Sequence, residues 1–232
     1  MDNSVRINKF LSEAGYCSRR EADRLVEAGK VTIDGVTATV GSRVVPGQRV
    51  VCNGKVLKTE EKKVVIAYNK PIGIECTADK DNKDNIIDAV NYPVRLFTVG
   101  RLDKNSCGLI FLTNDGELAN NISKAGQGHE KEYLVRVDKP ITDEFIQKMS
   151  QGVPILDKIT APCKIYKKSD DTFHIVLIQG LNRQIRRMCE YMGYKVKFLK
   201  RVRIMNIQLN GLKTGEYREL TQEEVNQLNL RV

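Results

Sequence analysis

The sequence predicts an α+β protein, and three observations lead there. Runs of β-prone residues are joined by short or hairpin-like connections, helical stretches fall among them without regular alternation, and a polar run near residue 60 separates a short opening unit from a long β-rich remainder. Regular strand-helix alternation would mark a doubly wound parallel sheet; its absence predicts a mixed, mainly antiparallel sheet flanked by helices. With 232 residues, 41% hydrophobic and 29% charged, the chain has room for two domains with real cores.

Residues 1–58 predict two short helices and a small set of strands. Ile7, Phe10, Leu11 and Ala14 recur at helical spacing between Val5 and Gly15. Ser18-Arg19-Arg20-Glu21 has the form of a capping box, in which a serine hydroxyl and a glutamate carboxylate satisfy free amides at a helix start. The helix it opens runs to about Ala28, with Ala22, Leu25 and Val26 inward, Arg20 and Arg24 one turn apart on another face, and Gly29 placed to end it. Asp34-Gly35 and Asn53-Gly54 lie between β-prone residues and predict two hairpins, because such pairs tolerate the positive φ of a tight type I′ turn. The polar run from Thr59 to Lys63 reads as a linker, and residues 64–232 as the second domain.

In that domain strands are expected at VVIAYNK, LFTVGRL, GLIFLTN, KEYLVRVD, FHIVLIQ and KVKFLKRV. Helices are expected near Asp115 to Ala125, Thr142 to Ser150 and Asn182 to Met192, with a last one opened by the capping box Thr221-Gln222-Glu223-Glu224. No tandem repeat or low-complexity tract interrupts them.

Charge narrows the function classes. The formal net charge is +9, residues 1–58 carry ten Lys/Arg against six Asp/Glu, and the span Arg183 to Arg203 holds eight basic residues with Glu190 as its one acid. Like charges crowded in this way call for a polyanion, which points to nucleic acid. No apolar run approaches the ~20 residues that span a bilayer, and MDNSVRINKF lacks the apolar stretch of a secretory leader, so a cytoplasmic protein with no membrane partner is expected. Six cysteines without a Cys-x-x-Cys pair and two histidines, His129 and His174, supply no zinc ligand set; reduced cysteines and ordinary structural histidines are expected. Gly126 and Gly128 have no third glycine to make a nucleotide-binding loop, so neither metal nor cofactor is expected. The lack of an exposed heptad predicts a monomer.

The stretch GRLDKNSCGL places Asp103 between Arg101 and Lys104 at the junction of two apolar runs. Taken alone, an aspartate near Asn105, Ser106 and Gly108 is ordinary turn chemistry. The longer phrase GRLDKNSCGLIFLTNDGELAN, together with AYNKPIG at 67–73, KEYLV at 131–135 and GLNRQIRRM at 180–188, resembles in order the four motifs of pseudouridine synthases. The opening unit resembles a two-helix RNA-binding domain found in a ribosomal small-subunit protein. Together they resemble the RsuA-like branch of the family, which acts on ribosomal RNA. KDNIIDAVN, HEKEYLV, VDKPITDEF and the run from GLNRQIRRMCEYMGY to RIMN are similar to a member acting on the large subunit.

That resemblance implies an enzyme converting one uridine of a 23S ribosomal RNA stem-loop to pseudouridine, with no net redox change and so no cofactor. It assigns Asp103 as nucleophile, Tyr133 to stack on the uracil and take the C5 proton, and Arg186, on a helix capped by Asn182, as the cation keeping Asp103 ionised. Residues expected to touch RNA are Arg101, Leu102 and Lys104 beside the nucleophile, Arg183, Gln184, Ile185 and Arg187 around the arginine motif, and Arg19, Arg20 and Arg24 on the small domain. Lys197, Lys200, Arg201 and Arg203 are expected to form a charged strand face over one buried by Val196, Phe198 and Val202. Cys107 occupies a variable motif position and receives no catalytic role. The resemblance leaves open the target uridine, a transfer RNA as second substrate, and attack at C6 or at C1′. A non-catalytic RNA-binding assembly factor for the ribosome is the alternative; it explains the charge and the opening domain but not Asp103, Tyr133 and Arg186 in matching contexts. A DNA-binding regulator would need a recognition helix followed by dimer-forming heptads, which the sequence lacks.

Overall fold

Tight turns and helix caps set the small unit. The computed structural model describes residues 3–58, 62–123 and 128–229. It divides into two units, the first comprising Met1–Val64 with the short segments Tyr92–Leu96 and Asn114–Gly116, the second the remainder. Residues 59–61 of the expected linker and 124–125 of an expected helix lie outside the described residues.

In the first unit β1 (Val5–Arg6), α1 (Ile7–Glu13) and α2 (Arg19–Glu27) precede β2 (Val31–Ile33), β3 (Val36–Thr37), β4 (Arg43–Val44), β5 (Val50–Cys52) and β6 (Lys55–Leu57). Strands β3-β2-β5-β6 form one antiparallel sheet and β1 pairs with β4. Helix α1 starts later than the periodicity predicts, because Val5 and Arg6 are taken into the pairing with β4. Asp34 and Gly35, and likewise Asn53 and Gly54, all have positive φ, as the two hairpins require. The Ser18 hydroxyl accepts from the Glu21 amide at 3.2 Å, while the Glu21 carboxylate takes the Arg24 guanidinium at 3.1 Å, so the first box closes only on one side. Ile7, Leu11, Ala22, Val26, Val31 and Val50 make the core, and Arg19, Arg20 and Arg24 remain exposed.

The second unit runs β7 (Val65–Lys70), α3 (Ile86–Val90), β8 (Phe97–Val99), β9 (Cys107–Thr113), α4 (Gly116–Ser123), β10 (Lys131–Val137) and α5 (Asp143–Gln151). It continues through β11 (Pro154–Ile155), β12 (Lys158–Ile159), β13 (Lys164–Lys167), β14 (Thr172–Leu177), α6 (Gln184–Tyr191), β15 (Val196–Ile204), β16 (Ile207–Gln208), β17 (Tyr217–Glu219) and α7 (Gln222–Asn229). The sheet order is β13-β14-β10-β15-β9-β7-β17, with β8 on β9 and β16 on β15. Among the described strands of this sheet only β15 and β9 pair in parallel, so the sheet is mixed and mainly antiparallel, as expected. Strands β7 and β9 are buried on both faces, which explains their near-continuous apolar sequence. One core gathers Val135, Phe145, Phe173, Met188 and Leu199 under α5 and α6; another joins Val65, Phe111, Leu118 and Leu228. The edge strands β13 and β17, the β11-β12 hairpin and α3 were not predicted, since short edge strands carry mixed rather than alternating patterns. A local signal for α3 was present: Asn85 caps it by accepting the Asp88 amide at 2.8 Å.

The last helix is held by a complete capping box. Thr221 Oγ1 accepts from the Glu224 amide at 3.2 Å, and Glu224 Oε2 accepts from the Thr221 amide at 2.9 Å. The same carboxylate takes Arg218 at 2.8 Å through both oxygens. Thr221→Ala will therefore cost about 1 kcal/mol, the usual worth of such a cap. Urea unfolding should show a lower midpoint at constant slope, and an unmoved midpoint would mean the cap contributes nothing.

Candidate active site

The loop between β8 and β9 carries Asp103. The buried Leu102 donates its amide to Cys76 Sγ at 3.3 Å, and the Ser106 amide closes back on the Asp103 carbonyl at 3.0 Å. On the neighbouring loop the Gly73 amide donates to the Lys104 carbonyl at 2.9 Å. Behind it Lys70 is fully buried and donates Nζ to the carbonyls of Pro71 at 2.9 Å and Ile74 at 2.6 Å, so it shapes the loop leaving β7. Burial pulls this ammonium below the ordinary lysine value, against the partial pull of Cys76, Cys107 and Asp103.

Helix α6 brings the cation. Its N-cap is Arg183 in the left-handed region (φ 49°), not Asn182, and no side chain caps it. The expected cap fails because Asn182 is engaged elsewhere: its carbonyl and Oδ1 accept from Arg187 at 3.1 and 3.2 Å. With Gln184, Ile185, Met188 and Cys189 turned into the core, Arg186 faces the Asp103 loop. Its Nη2 donates to Asn105 O at 2.8 Å and Ser106 Oγ at 3.1 Å, and its Nε stands 3.8 Å from Asp103 Oδ2. The side chains are 16% and 33% exposed, so this pair is shielded from bulk water but open to a ligand. Burial and the Arg183 guanidinium pull Arg186 below its ordinary value and Asp103 works against them; an arginine stays charged in either case.

A cleft of about 230 Å³ opens beside this pair and is lined by Asp103, Ser106, Lys131, Tyr133, Gln179 and Arg201 among others. Of the residues expected to touch RNA, it brings Arg101, Leu102, Arg183, Gln184, Ile185 and Arg201 to one wall system with Asp103 and Tyr133. Lys104, Arg187, Lys197, Lys200 and Arg203 are not in it. Lys104 pairs instead with Asp84 at 2.9 Å, and Arg203 with Glu132 at 2.9 Å and Glu130 at 3.1 Å. The charged face expected on β15 needs correction. Its ladder sets Arg201 opposite Tyr133 and Leu199 opposite Val135, which turns Arg201 inward to 3% exposure, while Phe198 and Lys200 share the other face. Lys131 and Ser106 escaped the sequence reading; the period-2 geometry of a strand, which puts residue 131 on the same side as 133, was the signal for the first. The two histidines serve the framework: His129 is buried with Nδ1 at 3.1 Å from Ile122 O, and His174 bonds Glu132 at 2.8 Å. All six cysteines are free.

A carboxylate held by a guanidinium next to an aromatic ring, in an otherwise basic cleft and on a chain with a small basic companion unit, belongs to the RNA-modifying enzymes. Comparison with known proteins narrows the class. Residues 64–191 match the family described as RNA pseudouridylate synthase, and residues 5–50 match the S4 domain. The dual-specificity RNA pseudouridine synthase RluF of Escherichia coli K12 is 56% identical over 97% of this chain and 78% of its own. Ribosomal large subunit pseudouridine synthase B of Bacillus subtilis is 34% identical over 96% of this chain and 95% of its own. A crystal structure of a pseudouridylate synthase superposes with a TM-score of 0.71 at 28% identity, covering 97% of this chain and 99% of that one. The chain belongs to the RNA pseudouridine synthase family and carries an N-terminal S4 domain.

Proposed function

We propose that this isomerase converts one uridine of 23S ribosomal RNA to pseudouridine in the cytoplasm, using Asp103 as nucleophile on a nucleotide flipped out of its stem-loop. The Asp103–Arg186 pair at 3.8 Å, and a cleft that Asp103 and Tyr133 both line, carry the reading. The reaction breaks the N1–C1′ bond, turns the base in place and joins C5 to C1′, and a carboxylate nucleophile divides that change into easier steps. Arg186 sets a positive charge beside the Asp103 carboxylate, and Tyr133 supplies a face for the uracil to stack on. Extruding the base costs a few kcal/mol, less in a loop or bulge than in a continuous helix. RNA binding supplies that energy through the basic cleft wall and through Arg19, Arg20 and Arg24 of residues 1–58, which act as an RNA-binding module joined to the catalytic residues 64–232. Two modest patches on one chain gain by effective concentration when both reach one RNA.

The test is pseudouridine mapping on 23S RNA transcripts incubated with the purified protein, with transfer RNA as a second substrate pool. A single new pseudouridine in the 23S transcript supports the reading. Tight binding without modification would favour the assembly-factor alternative. Within the same assay Tyr133→Phe keeps the stacking face and removes the phenolic oxygen. RNA affinity should stay within about twofold while single-turnover product formation falls by roughly 10²-fold or more, the usual worth of a positioned proton acceptor. Normal turnover in that variant would remove the proton-transfer role from Tyr133.

A further inference from the structure

Two of the cations that line the inner cleft, Lys131 and Arg201, have no carboxylate partner among the described residues. Lys131 and Tyr133 are two residues apart on β10 and so project from the same side of the sheet, and both line the cleft. Arg201, the register partner of Tyr133 on β15, lines it too. Lys131 Nζ donates to the His129 carbonyl at 3.2 Å, which leaves two of its three hydrogens for a ligand. Arg201 is 3% exposed, donates Nε to Leu109 O at 2.6 Å, and keeps a buried Nη2 without a partner. Among the described residues, the one carboxylate lining the cleft is Asp103, which faces Arg186. Burial first, and the Arg201 guanidinium second, pull the Lys131 ammonium below the ordinary lysine value, the mark of a charge the protein itself does not balance. A buried guanidinium and a half-buried ammonium left uncompensated are costly, so their presence in a cleft points to a ligand on which negative charge develops.

We propose that Lys131, backed by Arg201, contacts a carbonyl oxygen of the flipped uracil and stabilises the negative charge the base acquires during isomerisation. The inference rests on the isomerase reading above and adds a catalytic residue to it. It holds for both routes open to Asp103. In displacement at C1′, the electron pair of the N1–C1′ bond leaves with the base and spreads from N1 over the carbonyl oxygens, while the carboxylate forms an ester to C1′. The ring then returns a pair from C5 to C1′, releasing the carboxylate; C5 loses its proton to a base and N1 gains one. In addition at C6, the C5–C6 pair moves toward C5 and O4, then forms the C5–C1′ bond while the N1–C1′ pair stays on N1 and takes a proton. Loss of the C5 proton then expels the carboxylate and restores the double bond.

Either way the uracil oxygens carry charge in the transition state that uridine lacks in the ground state, so a cation placed there accelerates the chemistry rather than merely tightening binding. The base, not the phosphodiester, is the group that matches this place. Arg201 is 3% exposed and Lys131 half-buried, so a flipped ring entering the cleft can meet them, whereas a phosphate with its flanking sugars needs open surface.

The experiment uses full-length protein and a 23S transcript under single turnover. Lys131→Met should slow pseudouridine formation about 100-fold, with RNA affinity within about twofold of wild type, because the lost interaction is made only in the transition state. Lys131→Arg should recover at least about a tenth of the rate, since it restores the charge in a different shape. Lys131→Gln replaces the methionine variant should that one fail to fold. A transcript containing 5-fluorouridine adds a readout that a structural role would not move. Fluorine withdraws electrons from the ring and lets the base bear its own charge; because it stands where the C5 proton would be lost, the rate read is the disappearance of 5-fluorouridine rather than the appearance of pseudouridine, and the wild-type to Lys131→Met ratio of that rate should shrink by about fivefold or more. A Lys131→Met rate within threefold of wild type, an undiminished ratio with 5-fluorouridine, or a loss confined to affinity with a salt slope lower by about one, as for a phosphate contact, would each overturn the proposal. Absence of pseudouridine from the wild-type reaction would instead overturn the isomerase reading, and this one with it.

Discussion

Asp103→Asn will lower pseudouridine formation by on the order of 10⁴-fold or more, the scale on which loss of a nucleophile acts. Asparagine matches the shape of aspartate, so the loop has little reason to move. Its framework is independent of the carboxylate: the Ser106 amide closes on a backbone carbonyl, and Arg186 keeps its bonds to Asn105 O and Ser106 Oγ. What disappears is the one acid that lines the basic cleft among the described residues, and with it the group able to form and release a bond to the nucleotide. RNA binding should hold or tighten slightly, since removing a negative charge near phosphates cannot weaken their attraction to the cleft. Thermal unfolding within a few degrees of wild type, paired with the lost activity, would separate chemistry from stability. Modification within tenfold of the wild-type rate would remove the nucleophile assignment.

Gly108→Ala should be among the most damaging small changes to the fold, by about 3–5 kcal/mol, the sum of a strained left-handed backbone and an overpacked contact. Gly108 has φ +103°, and a Cβ there would lie 2.2 Å from the Arg201 carbonyl oxygen and 2.7 Å from its nitrogen. These are backbone atoms of the parallel β9-β15 pair, where Lys200 faces Cys107 and Arg201 faces Gly108, and they cannot swing aside. Gly54→Ala is the control. Gly54 also has positive φ (+77°) but nothing stands within 4 Å of its would-be Cβ, so conformational strain acts alone and about 1 kcal/mol is expected. Equal losses for the two substitutions in urea unfolding would show that the close approach of β9 and β15 is not what Gly108 provides.

Several features were legible because their causes lie within a few residues. The hairpins at Asp34-Gly35 and Asn53-Gly54 follow from backbone freedom at two positions, and both turns form. The Thr221 capping box closes as its four-residue pattern says, and the apolar runs at β7 and β9 become the doubly buried middle of the sheet. Asn182 misled for the converse reason: its oxygens accept from the Arg187 guanidinium instead of from a helix amide, a choice set by where the α6 side chains turn.

The sequence by itself determined the α+β class, the mixed sheet, the family and the ordered motifs that hold Asp103, Tyr133 and Arg186, since periodicity, turn chemistry and local phrases are properties of neighbouring residues. Tertiary structure alone decided that Arg186 reaches the Asp103 loop from eighty residues away, that Arg201 turns inward instead of joining a surface patch, and that the β10 face shared by Lys131 and Tyr133 lines the cleft. Those outcomes depend on strand register. A shift of one residue sends every side chain of a strand to the opposite face, and register is fixed only when distant strands pair.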